Sequence, residues 1–154
     1  MTPRSRTNQL LYQAELLLQL APGSDEHAEA RRMAAEEGAL ALFELALQSL
    51  LREVTEHAAL ERHDWRELLG PEGESVAELQ RLRELVAREG SWLAWLTGRL
   101  EALHSSDGVA RRASGAAAGL IAVGSAAALG DELLGCLREA KAEIAALRET
   151  SQEW

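Results

Sequence analysis

Between Ala39 and Leu51 the chain carries only Glu44, Gln48 and Ser49 as polar residues, and the preceding proline lies back at Pro22. The flanking sequence favours helix on both sides. The stretch therefore reads as the middle of one long helix with little solvent-facing surface. Such a helix must be covered by others, and that requirement governs the reading of the rest of the chain.

The other helices follow from spacing and punctuation. Thr7 or Asn8 is placed to cap a first helix over about 8–20, whose apolar stripe is Leu10, Leu11, Ala14, Leu17, Leu18 and Ala21. Pro22-Gly23 ends it. Ser24, with Asp25 and Glu26 in the first turn, opens a second helix over about 25–60, roughly 54 Å long at about 1.5 Å per residue. Met33, Leu40, Leu47 and Val54 recur every seven residues along it, with Phe43 and Leu50 between them. Gly38 marks either a weak point, at about 1 kcal/mol relative to Ala, or a close helix approach. Residues 61–74, with Gly70-Pro71 and Gly73, form a connector with one helical turn around Trp65.

Ser75-Val76-Ala77-Glu78 has the capping-box pattern and opens a third helix over about 75–104, interrupted near Gly90-Ser91 by a kink or a stop and re-cap. Residues 105–130 read as a turn followed by a linker rich in Ala and Gly. The last helix covers about 131–153, with Leu133, Ala140, Leu147 and Trp154 spaced by seven. Two long helices joined by a connector and flanked by two shorter ones predict an all-α, antiparallel up-and-down four-helix bundle in one domain, 1–154.

Composition supports this and narrows function. The chain is 154 residues long and 47% hydrophobic with 4% aromatics, so its core is mainly Leu and Ala, which suits helices better than sheet. Sixteen basic against 25 acidic residues give a net charge of −9, so neither nucleic acid nor an anionic membrane is expected as partner. A single cysteine, Cys136, leaves no intramolecular disulfide and no cysteine-based zinc site. Asn8, Gln9, Gln13, Glu15 and Gln19 break any secretory pattern in Met1 to Leu20, and a reducing cytoplasm is the expected location.

Each candidate for chemistry has a plainer alternative. Glu101-x-x-His104 has the helical spacing of di-iron bundles, but such a site needs two of these motifs and two more carboxylates, and His27, His57 and His63 add none. Neither metal nor other cofactor is expected. Arg52 followed by His57 resembles the Arg-then-His signature of the HEPN helical ribonucleases. There, histidine would move the proton and arginine would balance the phosphate charge. Glu53 and Glu56 oppose RNA, and a solvated helix end with a Glu53–His57 pair explains the same residues. Residues 113–129 are uncharged and hold Gly115-x-x-x-Gly119, yet the segment is short of the roughly 20 residues that cross a bilayer. A connector is the better reading. Cys136 reads as inert packing. Trp92, Trp95 and Trp154 read as core or interface anchors, with Arg99 four residues after Trp95 and able to lie on its indole.

Arg6-Thr7-Asn8-Gln9 before Leu11-Tyr12, Leu42-Phe43, Trp92-Leu93, Leu120-Ile121-Ala122-Val123, and Arg148-Glu149 with Glu153-Trp154 occur in this order along most of the chain. In this it resembles a family of short proteins from Pseudomonas and other gammaproteobacteria, a domain of unknown function. The resemblance implies a small helical bacterial protein and assigns no activity, cofactor or catalytic residue. It also implies that 120–123 belongs to an irregular linker, although Ala and Gly stand here where the family pattern is more charged and contains proline. Arg52 and His57 are not part of the shared pattern.

The leading expectation is a non-enzymatic helical protein that works by protein–protein contact, with a second copy of itself as a candidate partner and Trp92, Trp95, Arg99 and Trp154 as candidate interface residues. The rivals are a metal-independent ribonuclease using Arg52 and His57, and a carrier of apolar ligands with a cavity lined by Leu40, Phe43 and Leu47.

Overall fold

The computed structural model describes residues 1–73, 75–112 and 128–152, and among them every regular element is helical. The described residues form six α-helices where four were expected: α1 (Pro3–Gln19), α2 (Ala28–Val54), α3 (Trp65–Leu68), α4 (Ala77–Ala87), α5 (Trp92–Leu103) and α6 (Leu129–Gln152). None is long and apolar enough to cross a membrane. The expectations placed on 113–127, including the Gly115/Gly119 pair and the 120–123 run, fall outside the described residues.

The boundaries moved for identifiable reasons. α1 starts at Pro3, not near residue 8. Thr2 accepts from the Ser5 amide at 3.1 Å, and proline in the first turn has no amide to leave unpaired. Thr7, expected at the cap, is instead inside the helix and fully buried. α2 starts at Ala28 without Ser24 as its cap. Asp25 accepts from the His27 amide at 3.0 Å and grips Arg31 at 2.6 and 2.8 Å, which holds the entry turn from outside the helix. α2 also ends at Val54, short of residue 60. The Thr55 hydroxyl donates back to the Leu51 carbonyl, a single 3-10 turn follows at Glu56–Ala58, and Ala59 takes a left-handed conformation.

The third predicted helix is two. Gly90 has φ +84°, which ends α4, and Ser91 re-caps α5 by accepting from the Ala94 amide at 3.0 Å. The capping box at Ser75 does not form. Val76 is the cap residue, and the Glu78 carboxylate accepts from Ser151 of α6 at 3.0 Å instead. The short turn predicted around Trp65 is α3.

Neighbouring helices are tied in register. Thr7 of α1 meets Ser49 of α2, and Leu17 meets Gly38, so these two run antiparallel. A Cβ on Gly38 would lie 2.9 Å from Leu17 Cδ2, which makes this glycine the point of close helix approach. Glu78 and Arg81 of α4 meet Ser151 and Glu143 of α6, and Trp92 and Arg99 of α5 meet Cys136 and Glu132, so both short helices run antiparallel to α6. Glu15 with Lys141, and Asn8 with Arg148, set α1 antiparallel to α6 as well.

The core joins all these helices. Leu10 and Ala14 of α1, Leu40, Phe43, Leu47 and Leu50 of α2, Leu79 and Leu82 of α4, Leu93, Leu96 and Leu100 of α5, and Leu133, Leu137 and Ala140 of α6 are all at most 3% exposed. Each leucine so enclosed contributes roughly 1.5–3 kcal/mol relative to exposure. The apolar cavity that a carrier would need around Leu40, Phe43 and Leu47 is therefore filled by packing.

Gly90 has open space where a side chain would go, so its only constraint is its positive φ. Gly90→Ala is expected to cost about 1–2 kcal/mol of stability, read as a lower urea midpoint with an unchanged helical spectrum.

Candidate functional site

The residues proposed for ribonuclease chemistry lie on the surface at the end of α2. Arg52 and His57 are both exposed, and no hydrogen bond or ion pair joins them among the described residues. Arg52 Nε instead donates to Nδ1 of His63 at 3.4 Å, and His63 is held below the usual histidine pKa by burial and by the nearby Arg52 charge. Nor does Glu53 pair with His57. It receives Nε and Nη2 of Arg148 at 2.6 and 3.0 Å.

That ion pair belongs to a polar clamp. Arg148 also donates to Asn8 at 2.9 Å. The hydroxyls of Thr7 and Ser49 lie 2.9 Å apart, each 2.9 Å from the Pro3 carbonyl. Each hydroxyl has one proton, so one serves the carbonyl and the other serves its neighbour. The clamp ties the start of α1, the end of α2 and the end of α6. Residues from the two ends of the chain that carried the family resemblance, Thr7, Asn8 and Arg148, thus meet in space.

Glu101-x-x-His104 is split between two partners. Glu101 lies 3.5 Å from Arg66, while His104 Nε2 sits 2.8 and 2.9 Å from the two oxygens of Glu44, one of which also accepts from Trp65 Nε1 at 2.9 Å. No group of three or more metal-capable side chains gathers among the described residues.

The tryptophans divide. Trp92 is 7% exposed and stacks on Phe43 at 6.4 Å between centroids, so it belongs to the core and not to a surface. Trp95 is half-buried, with the Arg99 guanidinium 5.3 Å from its ring centre, as the spacing suggested. Trp154 lies outside the described residues. Cys136 is 5% exposed, and burial, with help from Glu139, pushes its thiol up to about 12.

Two surface features stand out that the residue motifs did not single out. On α1, opposite Leu10, Leu11 and Ala14, Tyr12 at 59% and Leu16 at 43% exposure face solvent, and Leu20, the residue just past the helix, is 65% exposed. Their spacing of four was visible in the sequence as the complement of the buried stripe. The second feature is a groove of about 530 Å³ between the end of α1, the first half of α2 and the start of α6, lined by Leu17, Leu18, Ala35 and Leu134 together with Glu36. Nothing in the sequence distinguished Glu36 from the other acids of α2, because its burial depends on neighbours far along the chain.

With this geometry in view, comparison with known proteins places the chain. It belongs to the family described as "Family of unknown function (DUF6586)", whose pattern matches residues 1–154. Neither curated proteins nor solved structures give a match.

The clamp and the thiol are both testable. Arg148→Ala is expected to cost about 2 kcal/mol, between exposed and fully buried pairs, measured by urea unfolding, with part of the loss restored in Arg148→Lys. Cys136 in the folded protein should react with iodoacetamide at pH 8 at least about a thousandfold more slowly than a free cysteine of pKa about 8.5. Rapid labelling should appear only in denaturant.

Proposed function

We propose that the protein is a non-enzymatic helical interaction module that associates with a second copy of itself through the outer face of α1. The observation that carries this reading is the exposed pair Tyr12 and Leu16, continued by Leu20 just past the helix end, on a helix whose other side packs Leu10, Leu11 and Ala14 into the core. Large apolar side chains aligned on one exposed face favour a protein partner.

Charge favours self-association at this face over any other. Two copies at −9 each repel, and approach is easiest where charge is least. From Gln9 to Leu20 the only charged residue is Glu15, which is already paired with Lys141. Exposed Gln13 and Gln19 flank the apolar row with uncharged hydrogen-bonding groups. Antiparallel α1 helices about a two-fold axis near Leu16 would set Tyr12 of one copy beside Leu20 of the other.

The scaffold in this reading is an up-and-down bundle of four arms: α1, α2, α4 with α5 as one broken arm, and α6. The directions of the ion pairs and hydrogen bonds between neighbours support that order. The partner is protein and neither nucleic acid nor membrane, in keeping with the acidic balance. The lone buried thiol of Cys136 supports a reducing, cytoplasmic setting.

Light scattering coupled to gel filtration, at tens of micromolar chain, is expected to give a dimer. Leu16→Glu should weaken association at least about tenfold and leave the helical spectrum unchanged. A wild-type chain that stays monomeric at these concentrations sinks the reading.

A further inference from the structure

We propose that the groove between α1, α2 and α6 binds a small amphiphile with a primary ammonium head and an apolar tail, the head being taken by Glu36. This site adjoins the outward face of α1, with Leu20 at its edge, and does not rest on self-association.

Glu36 is 4% exposed. Arg32 donates to Oε1 and the Gly130 amide lies close enough to favour the carboxylate, yet no donor reaches Oε2 in hydrogen-bond geometry. A buried acceptor left unpaired is costly, and a hydrogen-bond donor arriving in the groove removes that cost. Burial also raises the affinity of Glu36 for its proton, partly offset by Arg32 and by the Gly130 amide. Arg32 cannot turn to serve the second oxygen alone, because Glu29 holds its Nη2 and Nε at 2.6 and 3.2 Å and the Arg111 carbonyl takes a further bond at 2.6 Å.

The head group follows from the surrounding charge. Two arginines, Arg31 and Arg32, stand among four carboxylates: Asp25, Glu29, Glu36 and Asp131. Arg31 is committed to Asp25. The Asp131 carboxylate, at the mouth of the groove, has no hydrogen bond or ion pair among the described residues. Both arginines of the wall are committed to carboxylates, so the charge left unpaired at the groove is that of Asp131 and of Glu36 Oε2, which favours a cation and disfavours a carboxylate or phosphate ligand. The tail follows from the wall: Leu17, Leu18, Ala35 and Leu134 present an apolar surface. A volume of about 530 Å³ falls within the roughly 300–1,000 Å³ usual for small-molecule sites.

The test is calorimetric titration of the full chain with n-octylammonium chloride below its micelle concentration, alongside n-octanol and n-octanoate. The expected result is saturable 1:1 binding of octylammonium, with octanol at least tenfold weaker and octanoate not bound. Glu36→Gln should weaken octylammonium binding at least tenfold, and Ala35→Trp, which fills the groove, should abolish it. Helical spectra and melting curves verify that each variant folds. If Glu36→Gln does not fold, the ligand comparison and Ala35→Trp still decide. No saturable binding, equal binding of octanol, or indifference to both substitutions overturns the proposal. So does binding that appears only after Leu120, Ile121 and Val123 are replaced by Ser, since the occupant is then the chain's own apolar run.

Discussion

Everything in this fold depends on enclosing the middle of α2. Leu40, Phe43, Leu47 and Leu50 are all essentially inaccessible to solvent, and a helix so apolar over several turns has to be approached from more than one side. α1 comes close enough at Gly38 that a Cβ there would meet Leu17. On another side, Phe43 is met by Trp92, the first residue of α5. The break at Gly90 lies just before it, where the chain re-caps and delivers that indole to the core.

Two of the polar residues of the same stretch serve as ties to other elements. Ser49 reaches Thr7 and the Pro3 carbonyl of α1, and Glu44 reaches Trp65 of α3 and His104 at the end of α5. Polar groups near a core must be matched or they destabilise it, and matching them across elements fixes register as apolar packing alone does not. The clamp of Asn8, Glu53 and Arg148 extends this to α6 and holds the two ends of the chain side by side. Two groups are exceptions among the described residues, Trp92 Nε1 and Oε2 of Glu36. Glu36 is as buried as its apolar neighbours, and the unpaired oxygen sets it apart from the structural carboxylates.

The two faces of α1 divide structure from interaction. One face supplies Thr7, Leu10, Leu11 and Ala14 to the interior. The opposite face holds large apolar groups in water, which adds nothing to the stability of an isolated chain and makes sense as a contact surface. Of the tryptophans that the sequence offered as core or interface anchors, Trp92 lies in the core, while Trp95 is half-buried under Arg99 of its own helix.

Period and punctuation made the helical class legible, along with the buried middle of α2, the turn at Trp65 and the interruption at Gly90, because each rests on residues within a turn or two of one another. The true start of α1 was also written in Thr2-Pro3, a local signal outranked by Thr7 and Asn8. Other features had no local sign. Whether Ser75 caps α4 was decided by Ser151, which engages Glu78 from 73 residues away. Whether Glu53 pairs with His57 was decided by Arg148, 95 residues on. The burial of Glu36 and the groove beside it exist only where the end of α1 and the start of α6 converge on α2. The sequence by itself determined which surfaces must leave water, since hydrophobic spacing along a helix is a local property. Only the tertiary structure decided which polar groups find partners and which are left over, since that depends on what packing brings together from distant parts of the chain.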